Sequence, residues 1–110
     1  ERVQYAYDRY TNESARLYNV LERALSEHAY IAGDVYSIAD MAVYPWATGH
    51  DKQGVDTGDK PHVQQWLETI GSRAAVERGM RLMEEHKRDL GQNPLSEEER
   101  AQMFGTTNTR

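Results

Sequence analysis

The sequence of 110 residues contains no cysteine, so disulfides and a protein-borne thiol nucleophile are both excluded for this chain. Phenylalanine occurs once and proline three times, and Leu, Ile, Val and Phe together supply 18 of the 110 residues. That lies below the fifth of a chain at which composition begins to read as disorder. No apolar run approaches the ~20 residues that cross a bilayer, and no signal peptide is visible. Positive charge is also short, with 13 Lys and Arg against 18 Asp and Glu, for a formal net charge of −5. An acidic balance weighs against nucleic acid or acidic membranes as partners. The chain opens on Glu1 rather than Met, which points to a processed or truncated product. A soluble, cytoplasmic protein is the expectation.

Two Trp, seven Tyr and four Met offset the aliphatic deficit, and the apolar residues recur at helical spacings. This describes a folded but core-poor chain that needs a partner surface for stability, because small domains bury too little of their own area. With no strand signal, internal repeat or low-complexity tract, the fold class is all-α. The first thirty residues read as one long helix. Val3, Tyr7, Tyr10, Ser14, Leu17, Leu21, Ala24 and His28 alternate steps of four and three along one face, widened by Tyr18 and Leu25. On this reading Tyr10 packs into the core. Tyr30 to Asp34 forms a connector, with Gly33 suited to positive φ. A second helix starts at Ser37, and its interior (Ile38, Ala39, Met41, Ala42, Val43) is apolar all round, the mark of a buried helix. Pro45 kinks or ends it near Trp46. After a polar loop, Pro61 opens a third helix carrying Val63, Trp66, Leu67 and Ile70 to Gly71. A fourth runs from about Ala74 to Leu90, with Val76, Met80, Met83 and Leu90 inward. Gly91 to Pro94 breaks it, Ser96 and Glu99 open a short terminal helix ending near Phe104 and Gly105, and Thr106 to Arg110 are expected to fray. The division this gives is 1–91, a helical domain, and 92–110, a tail with a short helix.

The most informative stretch is Tyr36-Ser37-Ile38-Ala39-Asp40-Met41-Ala42-Val43-Tyr44-Pro45-Trp46. Ser37 and Asp40 form a capping box, and Tyr36 and Met41 stand where a hydrophobic staple belongs. By itself that pattern says only that a helix starts here. The whole string resembles the start of the buried sixth helix of the glutathione transferase C-terminal domain. Tyr5-Ala6-Tyr7-Asp8-Arg9-Tyr10, Glu13 and Arg16-Leu17-Tyr18 are similar to the fifth helix of the bacterial nu class, also described as glutathione-dependent disulfide-bond oxidoreductases. Gln53-Gly54-Val55-Asp56, Pro61-His62-Val63 with Trp66, Ser72-Arg73-Ala74 and Leu95-Ser96-Glu97-Glu98-Glu99-Arg100 extend the likeness over nearly the whole chain. It departs at Ala74, where the family has a helix-opening proline.

The resemblance implies a helical bundle of the transferase C-terminal type. The thioredoxin-like domain that holds most of the glutathione site, the thiol-activating residue and a preceding interface helix all lie outside this sequence. It also implies a homodimer that binds glutathione and a small electrophile or disulfide substrate. The chain would then be one wall of the glutathione and acceptor-substrate site, inactive alone and with no catalytic residue of its own. Tyr5 and Arg9 lie four apart, on one helix face, and match family positions that contact glutathione, whose carboxylates suit a guanidinium fork. The bland alternative pairs a surface Arg9 with Asp8 or Glu13. Ser37 and Asp40 are structural. His28, His50, His62 and His86 lack metal-ligand spacing and paired acids, so no metal site is expected. Trp46 and Trp66 read as core aromatics. A non-catalytic helical protein-interaction module remains the alternative function, since fold does not fix function.

Overall fold

A computed structural model of the chain describes residues 3–86 and 95–105. These residues form α1 (Gln4–Glu27), α2 (Ile38–Ala47), α3 (Pro61–Gly71), α4 (Ala74–Glu85) and α5 (Glu97–Phe104), with a 3₁₀ turn at His50–Gln53. Among the described residues the only β-type pairing is an isolated bridge between Tyr30 and Gly33. The fold is all-α. By its contacts the chain divides into two compact units, residues 1–80 and 81–110.

In the first unit α3 lies against both α1 and α2. Its buried residues Val63, Trp66 and Ile70 fall at i, i+3 and i+7, and they meet Tyr18 and Leu25 of α1, Ala47 of α2 and Val55 of the loop. Leu21, Tyr30, Ile31, Val43, Tyr44 and Val76 pack around this centre. The buried line on α1 is thus Tyr18 and Leu25, the residues that widen the expected face, rather than its centre. Leu17 and Tyr10 are exposed, because α3 approaches α1 from one side only.

The helix ends follow local chemistry. Ser37 Oγ accepts from the Ala39 amide at 3.2 Å, and Asp40 Oδ2 accepts from the Ser37 amide at 3.0 Å, closing the capping box. The other Asp40 oxygen accepts from the Ile31 amide at 3.1 Å and from the Trp66 indole Nε1 at 2.9 Å. Asp40 is 0 % exposed, a buried carboxylate with three donors, as such groups require. Gly33 has φ +142° in the connector, a conformation that only glycine enters freely. Pro61 occupies the first turn of α3. Gly71 is the last residue of α3, and its importance is space rather than a left-handed turn: a Cβ there would stand 2.6 Å from the Tyr44 hydroxyl.

Three expectations about α2 and α4 are overturned. Apolar all round, α2 is nevertheless not a buried helix: Ile38 is 81 % exposed, Trp46 is 76 % exposed and Met41 is half-exposed. Only its Asp40–Ala47 side meets other elements. Trp46 is therefore not a core residue, whereas Trp66 is. Met83, expected inward on α4, is half-exposed, while Val76 and Met80 are partly covered.

In the second unit, α5 begins with its own capping box. Ser96 Oγ accepts from the Glu99 amide at 3.3 Å and Glu99 Oε2 from the Ser96 amide at 2.9 Å. Gly105 follows with φ +76°. The breaks expected at Leu90 and Gly91–Pro94, the division between 91 and 92, and the tail Thr106–Arg110 lie outside the described residues.

Candidate functional site

The face of α1 turned away from α3 carries a polar concavity of about 540 Å³, lined by Tyr5, Asp8, Arg9, Asn12, Glu13 and Arg16, with Tyr10 at its side. These positions repeat every three to four residues, so one helix supplies them all. Tyr5 and Arg9 therefore open on the same space. Tyr5 is 76 % exposed and Tyr10 is 69 % exposed, so Tyr10 does not pack in the core but flanks this surface. The spacing from Tyr5 through Asp8, Asn12 and Arg16 was the available signal for the further lining residues, one turn after another.

The ion pairs on this face leave Arg9 distinctive. Asp8 accepts from the Gln4 side-chain amide at 2.6 Å. Glu13 is gripped by Arg16 through two bonds, 2.9 and 2.7 Å. The Arg16 hydrogen bond, together with its charge and that of Arg9, lowers the Glu13 carboxyl below the usual range, and the Glu13 hydrogen bond and charge in turn raise the Arg16 guanidinium. Neither expected partner of Arg9 is thus directly bonded to it, and among the described residues no hydrogen bond or ion pair holds its guanidinium. Five donors remain available to a planar anion.

Beside it, between α1 and α2, lies an apolar concavity of about 560 Å³, walled by Leu17, Val20, Leu21, Val43 and Trp46. Tyr18 and Gln53 give it polar atoms. The Tyr18 hydroxyl donates to Gln53 Oε1 at 3.0 Å and lies 3.3 Å from the Ala47 carbonyl. Gln53 Nε2 donates to the Trp46 carbonyl at 2.8 Å. Burial raises the Tyr18 phenol above its ordinary value, so it stays a neutral donor.

The histidines are better partnered than local spacing suggested. His28 lies 3.4 Å from Asp34, His50 3.1 Å from Asp51 and His62 2.6 Å from Glu22. Glu22 and His62 are 40 positions apart, which no local pattern reveals. Among the described residues no three His, Asp or Glu converge on a metal position, and no helix is long and apolar enough to cross a membrane.

Residues 1–74 match the family model described as glutathione S-transferase, C-terminal domain. The chain is 42% identical over 85 residues to the disulfide-bond oxidoreductase YghU of Escherichia coli, covering 71% of this chain and 30% of that protein. It is 40% identical over 76 residues to the disulfide-bond oxidoreductase YfcG of the same organism, covering 69% and 35%. A glutathione S-transferase-like protein of Aspergillus fumigatus, tpcF, is 33% identical over 93 residues, covering 73% and 41%. The chain spans about a third of the length of the two bacterial relatives. On its sequence match and its all-helical fold, this chain belongs to the glutathione S-transferase C-terminal domain family.

Proposed function

We propose that this chain forms one wall of the glutathione and acceptor-substrate site of a glutathione-dependent disulfide oxidoreductase or transferase, working in the cytoplasm as a homodimer. The observation that carries this reading is the Arg9 guanidinium, unbonded beside Tyr5 in a polar concavity on α1. Glutathione has two carboxylates, and a guanidinium with free parallel N–H groups binds such a group through two bonds at once. Tyr5 adds a hydroxyl one helical turn away. The adjoining apolar concavity suits the organic part of an acceptor, since such pockets are walled by apolar and aromatic side chains with few polar atoms.

In the reaction, glutathione thiolate attacks one sulfur of a disulfide, forms a mixed disulfide and releases the other half as a thiolate. With a carbon electrophile it forms a thioether instead, the displaced group leaving with the electron pair of the broken bond. The residues of this chain orient and desolvate, and activation of the thiol is assigned to the remainder of the protein.

A glutathione titration of the polypeptide as its host makes it tests both parts. Saturable binding is expected, and Arg9→Ala should weaken it about tenfold, the value of a charge-assisted bond. No saturable binding sinks the enzyme reading; an unchanged Kd in Arg9→Ala sinks the site assignment alone. A second reading, a non-catalytic interaction module, draws on the exposed Ile38, Met41 and Trp46 of α2, because contiguous exposed apolar surface marks contact sites. It leads if glutathione does not bind.

A further inference from the structure

The start of α3 lacks a cap of its own. Lys60, at the N-cap position, makes no side-chain hydrogen bond to the helix, although the first amides of any helix need acceptors. The acceptor comes from α1. Glu22 Oε1 takes the His62 amide at 3.2 Å and Glu22 Oε2 takes the Val63 amide at 2.8 Å. The His62 imidazole turns back onto the same carboxylate, Nδ1 to Oε1, at 2.6 Å. One carboxylate thus serves as a borrowed cap and as an ion-pair partner, and its side chain is only 19% exposed.

We infer that Glu22 and His62 form a proton-operated clasp that fastens the start of α3 to α1. Histidine is the side chain that changes charge near neutrality. Where the imidazole is protonated and the carboxylate ionised, the bond is charge-assisted; when the imidazole is neutral the bond is an ordinary one, and roughly half as strong. Burial works against ionisation of Glu22. The Val63 amide, the imidazole and amide of His62, and the imidazole charge outweigh it and hold the carboxyl below its usual range. The clasp opens in acid when the carboxyl takes a proton and can no longer accept from all three donors.

Few other charges face the pair. A concavity of about 150 Å³ beside His62 is bounded by Leu25 and Ala29 of α1, Tyr30 of the connector and Trp66 of α3. Tyr30 is the titratable group there besides His62, and Asp40 stands on the Trp66 indole nitrogen. Lys60 gives its Nζ to Asp59 at 2.7 Å, and Arg23, next to Glu22, is exposed. Among the described residues, the charge of His62 favours ionisation of Glu22.

The test is a double-substitution cycle on the full chain, with Glu22→Gln, His62→Gln and both together, reading urea midpoints at about pH 5.5 and pH 8, on either side of the ordinary imidazole titration. Glu22→Gln is expected to lower the folding equilibrium constant about fivefold more at the lower pH, and the excess should vanish when His62 is already Gln. Contributions from the remaining histidines are common to all four proteins and cancel. If Glu22→Gln does not fold, His62→Gln alone, which keeps the borrowed cap, decides the matter: its stability should vary less between the two pH values than that of the native chain. Equal Glu22–His62 coupling at both pH values, or an unchanged pH dependence in His62→Gln, overturns the clasp.

Discussion

The second and third helices sit side by side and are built oppositely. By composition α2 is the more apolar, with Ile, Ala, Met, Val, Tyr and Trp in ten residues, yet its Ile38, Met41 and Trp46 are exposed and only Val43 and Tyr44 of its large apolar side chains pack against the core. By contrast α3 mixes Gln, Glu and Thr with its apolar residues and buries Val63, Trp66 and Ile70 almost completely. Burial follows the presence of a neighbour, not the hydrophobicity of the helix. Two sides of α3 are supplied with partners by this chain, and α2 meets them along one side. Its one fully buried large side chain is a carboxylate.

That contrast can be broken at its strongest point first. Asp40→Ala removes half of the α2 capping box and leaves the buried Trp66 indole and the part-buried Ile31 amide without their acceptor. The expected loss is about 3 kcal/mol or more, from a lost cap plus unsatisfied buried donors, read as a fall in the urea midpoint. An unmoved midpoint would refute the role given to Asp40. Next, Ile70→Ala on α3 should cost about 2–5 kcal/mol through cavity formation. Gly71→Ala tests the close approach of the Tyr44 hydroxyl. A loss of about 1–3 kcal/mol is expected, and Tyr44→Phe should restore part of it, because the clashing oxygen is gone. Acid should act more gently. Ionised Glu22, whose pKa is lowered in the fold, stabilises above the ordinary carboxylate range, and that contribution disappears as pH falls through its lowered value. Glu22→Gln should flatten this acid limb, removing about 1 kcal/mol at neutral pH. At the quiet end, Ile38→Ala on the exposed side of α2 should move the midpoint by no more than about 0.5 kcal/mol. A loss there as large as at Ile70 would mean that α2 is covered in solution.

Much of the architecture was legible because helix ends are local events. Ser37 with Asp40, Ser96 with Glu99, Pro61 and Gly33 each announce themselves within four residues, and the structure places helix starts or a turn at all of them. The Tyr5–Arg9 face was legible for the same reason, since helical spacing is set by the backbone alone. Depth was not. The sequence ranks Leu17, Tyr10 and Trp46 as inward residues by type and spacing, but only the position of a neighbouring helix decides which of several apolar flanks is covered. Glu22 could not be read as the cap of a helix that begins 39 residues later. Nor could the indole of Trp66 be assigned to Asp40, because both contacts depend on how α1, α2 and α3 assemble.

Asp40 joins these two classes of interaction in one side chain, with a consequence for the order of folding. Its bond to the Ser37 amide closes within a single turn, whereas its bond to Trp66 closes a span of 26 residues. Short loops close sooner and at smaller entropic cost than long ones. The bond to Ser37 is therefore expected to close before the bond to Trp66, which needs α3 in place. One side chain thus links a contact made within a single helical turn to one that exists only once two helices have met.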